Sequence, residues 1–422
     1  MTSKFCPLPW NHIASHPAGY VTLCCEADHT GLRSASYDIT DPTIFDGQPS
    51  FYNLKYNHLQ DVMNSHSFCN VRKQMLAGEE PAPCSGCYRK EEKGLESKRV
   101  RETRNFPTMT EELARSITQE DGSITPRIEF VELRLGNICN LRCVTCNPLS
   151  SSQWRSDYLK LAEKFDFLKD KYQMMDRDRF TTWPIGYANS NVFELDWPES
   201  AVFWHDLEQL SSDLKVIYIN GGEPTLIKKH WEFLQSLVIS DRAKNIELNY
   251  SINMTNIPPY AYALWAAFKK VRISCSIDAL GDKNTYIRYP TDWETVVENY
   301  LNLKASGVEV SITQTISALN YDSLDEFSKF FHEGYIHYNF VTDPAYYSPA
   351  ILPKEYRDEL HKRYEATLPA YLQVQLVKAF GDVQTDETNA EIFKNITNQL
   401  DLIRKTHFKE TFPELAQKLD AQ

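Results

Sequence analysis

The sequence predicts a mixed α/β protein built on a parallel sheet of βα units, preceded by a small cysteine-rich module and followed by a helical extension. Three observations carry this prediction. From Arg127 to Val341 short β-branched runs alternate with helical stretches, the pattern of consecutive βα units. The first of those runs leads straight into Cys139-Asn140-Leu141-Arg142-Cys143-Val144-Thr145-Cys146. Of the 10 cysteines, those outside this loop lie mostly before residue 90, so the thiols are concentrated in two places.

Composition bounds the reading. A chain of 422 residues suits one larger catalytic domain with one or two smaller units. Charged residues make up 24% and hydrophobic ones 42%, with no long apolar run, so no membrane span is expected. The opening Met1-Thr2-Ser3-Lys4-Phe5-Cys6 lacks the apolar core of a signal peptide, which predicts a cytoplasmic protein. Thiols stay reduced in that compartment, so clustered cysteines argue for metal binding or catalysis. A net charge of -12 argues against a nucleic acid partner, because releasing counterions from phosphates requires concentrated Lys and Arg.

Taken in order, residues 1–102 form the first expected domain. Cys6 is followed by Pro7-Leu8-Pro9-Trp10, then by Gly19-Tyr20-Val21-Thr22-Leu23-Cys24-Cys25, and later by Pro83-Cys84-Ser85-Gly86-Cys87. Gly19 permits a tight hairpin turn whose end presents Cys24, and Gly86 is expected to let the backbone fold back between Cys84 and Cys87. Adjacent strand residues point to opposite faces, so only one of Cys24 and Cys25 should reach a metal. The hairpin spacing favours Cys24, with Cys69 as a further candidate. Helices are expected near Leu59–Met63, near Val71–Leu76 and across Tyr88–Arg101. Residues 103–126, with breakers at Pro107, Asp121-Gly122 and Pro126, read as a linker.

Residues 127–345 carry the expected strands: Arg127–Leu135, Lys215–Asn220, Asn245–Asn253, Val271–Asp278, Val308–Ile316 and Ile336–Val341. Chemistry in such folds gathers where strands end. The second strand ends in Gly221-Gly222-Glu223-Pro224, and the third ends at Asn253. The fourth alternates Val271, Ile273, Cys275 and Ile277 with Ser274, Ser276 and Asp278, which places Cys275 in packing. Gln314, Asn339, Asp343 and Tyr346 are candidates for a substrate pocket, Asp343 and Tyr346 as groups able to move a proton. Residues 150–200 form an insertion rich in aromatics, Trp154, Trp183 and Trp197 among them, with a helix expected over Ser152–Tyr172. Residues 346–422 are expected to be helical over Glu355–Ala370, Asn389–Lys405 and from Phe412 onward, packing on the rest.

A CxxxCxxC loop can wrap one corner of a cubane, giving three irons a thiolate each and leaving the fourth without a protein ligand. Structural zinc would want a fourth Cys or His at short spacing, and none follows Cys146. On these residues the chain resembles the radical S-adenosylmethionine (radical SAM) superfamily from Cys139 to about Asp343. From Cys6 to about Arg99 it resembles the twitch module, a shortened SPASM domain. The resemblance implies a partial (β/α)6, TIM-like barrel. It implies that Cys139, Cys143 and Cys146 hold a SAM-binding 4Fe-4S cluster, and that Gly221, Gly222 and Glu223 form the GGE segment facing the SAM ammonium. It implies further that Asn253, Ser276 and Arg288 contact SAM, and that Cys6, Cys24, Cys84 and Cys87 hold an auxiliary 4Fe-4S cluster. A zinc site on those four residues is the alternative, since cysteine spacing alone does not separate iron from zinc. Relatives often place an aromatic residue where this chain has Thr145.

The implied activity is reductive cleavage of S-adenosylmethionine to a 5'-deoxyadenosyl radical that abstracts hydrogen from a substrate, with an electron donor such as flavodoxin or ferredoxin. Twitch and SPASM relatives modify peptides and proteins or oxidise sugars and aminocyclitols. The reading favoured here is oxidative modification of a peptide or protein side chain; dehydrogenation or epimerisation of a small molecule is the alternative. A non-catalytic iron-sulfur electron carrier is the alternative of another class, against which the GGE segment and the barrel pattern argue.

Overall fold

The computed structural model describes residues 3–27, 44–45, 48–49, 52–148, 150–168 and 195–420. They fall into two compact units: Met1–Asn137 with Glu194–Tyr250 and Ala263–Val271, and Ile138–Phe193 with Ser251–Tyr262 and Arg272–Gln422.

In the first unit, the hairpin expected around Gly19 forms from β1 (His12–Ser15) and β2 (Val21–Thr22), paired antiparallel. Gly19 turns at a φ of 86°, and a Cβ there would meet Asn53 Oδ1 at 2.6 Å, so only glycine fits. A minimal ladder joins β3 (Ile44–Phe45) to β4 (Gln48–Pro49). β5 (Phe130–Arg134), β6 (Val216–Asn220) and β7 (Glu247–Ile252) follow where the β-branched runs predict them. β5 pairs in parallel with β6, and β6 with β7. β1 also pairs in parallel with β5, matching His12 to Phe130.

That last pairing puts the cysteine-rich module in one sheet with the first strands of the βα series. Within residues 103–126 a helix covers Glu111–Ile117, and Phe106, Met109, Ala114 and Ile124 are buried. Arg72, fully buried, donates to the carbonyls of Pro9 at 2.9 Å and Gly122 at 3.0 Å and ties this stretch to the module. Gly86 departs from expectation. It sits within the helix Ser85–Glu92 without a positive φ, and a Cβ there would only touch Glu26 O at 3.8 Å. The turn of the helix itself, not glycine's freedom, sets Cys84 and Cys87 three residues apart on one side.

The second unit holds most of β8 (Lys270–Ser276), with β9 (Glu309–Ile316) and β10 (Tyr335–Phe340), again parallel. Its helices include Trp154–Ala162 in the insertion, shorter than the expected Ser152–Tyr172; the part of that expectation beyond residue 168, and Trp183, lie outside the described residues. The extension forms helices Lys354–Tyr364, Ala370–Phe380, Glu387–Arg404 and Pro413–Asp420. The first expected helix ends at Tyr364, and a second begins at Ala370 with Pro369 as its N-cap. Trp154, Tyr158, Leu161, Ala162 and Leu168 form one apolar cluster with Ile396 and Leu400 of the long helix. Among the described residues no helix is long and apolar enough to cross a membrane.

Candidate active site

The cysteine loop belongs to the second unit. Cys139 is buried, and Cys143 and Cys146 are half-buried. The loop is held by its backbone: Arg142 N donates to Tyr289 O at 2.7 Å, Val144 N to Ile287 O at 2.8 Å, and Cys146 N to Cys143 O at 2.9 Å. The Trp154 indole donates to Cys143 O at 2.8 Å. Leu141 N points at Cys139 Sγ at 3.4 Å, the orientation that a thiolate sulfur accepts. Burial pushes the Cys143 and Cys146 thiols up; the neighbouring Cys143 and Cys139 push Cys146 further, while Arg288 and Arg404 draw Cys143 back. Buried, protonated thiols of this kind are inert as nucleophiles and become ligands when a metal displaces the proton.

Asn253, buried at the end of β7, donates from Nδ2 to Asn140 Oδ1 at 2.8 Å, with Cys139 Sγ at 3.9 Å. Its Oδ1 caps Thr255 N at 3.0 Å. The turn-cap role and the proximity to the loop therefore coexist in one side chain. Arg288 follows the helix Gly281–Ile287 and pairs with Asp278 Oδ2 at 2.9 Å. Burial opposes its charge, but the thiols of Cys143 and Cys139 and the Asp278 carboxylate raise it above the usual guanidinium range. Asp278 was legible only as one member of a polar face. In the fold it is a junction: Oδ1 accepts from Thr315 N at 2.8 Å, and its carbonyl accepts from Gln314 Nε2 at 2.9 Å and Asn320 Nδ2 at 2.7 Å.

Register sorts the remaining candidates. Ser276 lies opposite Thr313, and Asn339 opposite Thr315, so Ser276 and Asn339 share the polar face of β8 to β10. Gln314 alternates with Thr313 and faces the other way, fully buried beside Ile312 and Ile316. Cys275 is fully buried on that packed side, and burial raises its thiol, in keeping with a packing role. Asp343 is exposed beyond β10, and Tyr346 is half-buried against the same apolar cluster that Cys146 touches. Burial, then Tyr347 and Asp343, lift the Tyr346 phenol well above its ordinary value. The phenol therefore keeps its proton at neutral pH.

In the first unit, the GGE segment follows β6 directly. Gly221 has a φ of 84°, and a Cβ there would meet the Arg134 Cα at 2.9 Å, so the backbones of neighbouring strand ends exclude any side chain. Glu223 is buried, and its Oε1 accepts from Thr225 N at 3.1 Å and Thr225 Oγ1 at 2.8 Å.

Cys6, Cys24, Cys84 and Cys87 all lie in the first unit. The charges of Cys84 and Cys87 act on Cys6, and that of Cys24 acts on Cys84, whose thiol burial pushes up to about 12. Arg99 fixes the approach of Cys6, donating to the carbonyls of Ser3 at 2.8 Å and Phe5 at 2.9 Å. Cys25 turns instead toward Lys98 and Glu132. Cys69 points at Asn64 O at 3.4 Å, its nearest charge being Arg72. Among the described residues no three His, Cys, Asp or Glu side chains surround one point closely enough for a single metal ion.

With this geometry in hand, comparison with known proteins is decisive at the family level. Residues 201–333 match the model of the radical SAM superfamily, and residues 6–88 match the SPASM iron-sulfur cluster-binding domain. The chain carries a radical SAM region, with a SPASM domain N-terminal to it. Its cofactors are the 4Fe-4S cluster with SAM and the SPASM auxiliary iron-sulfur cluster. The first matched stretch contains the GGE segment, Asn253, Ser276 and Arg288, and the cysteine loop precedes it. A search of curated proteins returned no match.

Solved structures give distant likenesses. Native anSMEcpe with bound AdoMet is 19% identical over 40% of this chain and 48% of that one, with a TM-score of 0.30. The chain thus spans about half the length of that neighbour. The structure of anSMEcpe with bound AdoMet and Cp18Cys peptide is 16% identical over 62% of this chain and 63% of that one, with a TM-score of 0.36. Streptococcus suis SuiB bound to precursor peptide SuiA is 12% identical over 81% of this chain and 67% of that one, with a TM-score of 0.34.

The residues present fit these cofactors. The loop supplies three thiols outside any disulfide, with the Leu141 backbone N–H already aimed at the Cys139 sulfur. Soft thiolates with outer hydrogen bonds are the donors that iron-sulfur clusters take.

Proposed function

We propose that this radical SAM enzyme oxidatively modifies a side chain of a peptide or protein, and that its SPASM domain is of the shortened, twitch form with Cys6, Cys24, Cys84 and Cys87 around one auxiliary cluster. The observation that carries the reading is the backbone pairing of the cysteine loop with the segment that bears Arg288, Val144 N to Ile287 O at 2.8 Å and Arg142 N to Tyr289 O at 2.7 Å, beside the buried Arg288–Asp278 pair. Bound there, the cluster and SAM would supply the one-electron cleavage that yields a 5'-deoxyadenosyl radical for hydrogen abstraction from substrate. Cys139, Cys143 and Cys146 would hold that cluster. The Arg288 fork suits the SAM carboxylate, and Asp278 keeps its Nη1 oriented while leaving Nε without a partner among the described residues. The polar face bearing Ser276, Thr313 and Asn339 offers hydrogen-bonding groups toward substrate, and Tyr346 would hold its proton through the turnover.

The peptide class follows from what SPASM and twitch relatives modify. A deuterated cell extract, separated into peptide and small-molecule fractions, tests it. Oxygen-protected enzyme with SAM and dithionite is expected to form 5'-deoxyadenosine and to acquire deuterium from the peptide fraction. Deuterium arriving only from small molecules would replace the proposal with the sugar or aminocyclitol reading. No 5'-deoxyadenosine under any condition would leave an electron carrier.

A second expectation concerns the auxiliary thiols. Cys24→Ala should lose the auxiliary iron, whereas Cys25→Ala should keep it, since Cys25 faces Lys98 and Glu132. Iron content and the visible absorbance of the two variants, each in a Cys143→Ala background, check this.

A further inference from the structure

The helix Glu387–Arg404 ends on a residue whose surroundings exceed what packing requires. Arg404 is 5% exposed. Its guanidinium lies 4.6 Å from the centre of the Trp154 ring and 5.2 Å from that of Tyr289. Nε donates to Asp157 Oδ2 at 2.7 Å, and its carbonyl accepts from Tyr289 Oη at 3.2 Å. Every one of these partners also grips the cysteine loop. Trp154 donates to Cys143 O at 2.8 Å, Asp157 Oδ1 accepts from Arg142 Nη1 at 2.6 Å, and Tyr289 O accepts from Arg142 N at 2.7 Å.

The stack uses the flat faces of the guanidinium, and the ion pair uses Nε. Nη1 and Nη2 are buried with no hydrogen-bond partner among the described residues. Leaving charged donors buried and unpaired is costly, so an acceptor is expected where they point. The charge of Arg404 reaches Cys143, as that of Arg288 does. The apolar cluster built by the same helix also runs up to Cys146.

We propose that Arg404 is a cofactor-binding residue of the SAM-cluster site, its Nη1 and Nη2 donating to the sulfur atoms of the cluster held through Cys143 and favouring the reduced state. The inference rests on Cys139, Cys143 and Cys146 holding that cluster. Reduction adds negative charge, which a nearby cation and N–H donors to sulfur stabilise. The C-terminal extension is then part of the redox site, although it contributes no metal ligand.

The test is a potentiometric titration followed by electron paramagnetic resonance on the full chain, comparing wild type, Arg404→Lys and Arg404→Gln. The SAM cluster is recognised as the signal that changes on adding SAM and disappears in Cys143→Ala. Arg404→Gln is expected to shift its potential to more negative values, Arg404→Lys to shift it less, and the auxiliary signal to stay in place. Loss of the cluster in Arg404→Gln with retention in Arg404→Lys gives the same answer. If the two variants behave alike, whether both match wild type or both lose the cluster, the guanidinium is a packing group and the inference falls. A wild-type protein with no SAM-sensitive signal would instead remove the reading beneath it.

Discussion

Cys143→Ala is expected to reduce 5'-deoxyadenosine formation to background and to lower the iron content by about four atoms per chain. Each thiolate of such a loop serves a different iron, so the remaining two cannot share the third's work. No spare donor stands ready in the same unit: Cys275 is fully buried on the packed face of β8. The loop should survive the change, because its shape is set by backbone bonds from Arg142 to Tyr289, from Val144 to Ile287 and from Cys146 to Cys143. The loss is therefore chemical rather than a collapse of the fold, and circular dichroism should match wild type. Anaerobic product analysis beside an iron assay decides it: a variant that still cleaves SAM reductively would falsify the ligand assignment.

The contrast between what the chain's residues foretold and what they did not follows from range. Every strand of the βα series was legible because alternation is local: Ile273, Cys275 and Ile277 against Ser274 and Ser276 announce β8 without reference to any other segment. The pairing of β1 with β5 was not, since nothing in the short run His12–Ser15 records a partner more than a hundred positions away. Within residues 103–126 the breakers are conspicuous in the chain, while the burial of Phe106, Met109 and Ala114 shows only in the fold. The cysteine spacings were informative because ligand geometry constrains them directly. Strand alternation argued that only one of Cys24 and Cys25 faces a metal and hairpin spacing favoured Cys24, yet what lies beside Cys25, the Lys98–Glu132 pair, comes from two distant segments. Asp278 and Arg404 were invisible as site residues for the same reason. Their meaning lies in partners far along the chain, and a tail without cysteines offered no signal.

The Lys98–Glu132 pair carries the largest expected effect on stability. Lys98 is 3% exposed and Glu132 is 7% exposed, with Nζ and Oε1 at 2.7 Å. His12 Nε2 lies 3.2 Å from the other carboxylate oxygen. Burial alone would raise the Glu132 carboxyl, but the nearby His12 ring and the Lys98 ammonium more than reverse it and hold it far below the usual carboxylate range. Glu132→Ala leaves the Lys98 ammonium buried with Glu102, at 3.8 Å, as its remaining carboxylate among the described residues. Breaking a buried pair from one side costs roughly 3–5 kcal/mol, and a loss of that size is expected in urea unfolding monitored by circular dichroism. The pH dependence has a definite sign. Because the native carboxyl titrates below its unfolded value of about 4.3, the pair's contribution is fully present above that pH and fades as pH falls toward the depressed native value. Wild type should therefore lose stability more steeply than Glu132→Ala on acidification below about pH 4.3, and parallel curves for the two would show that the pair contributes nothing to the fold.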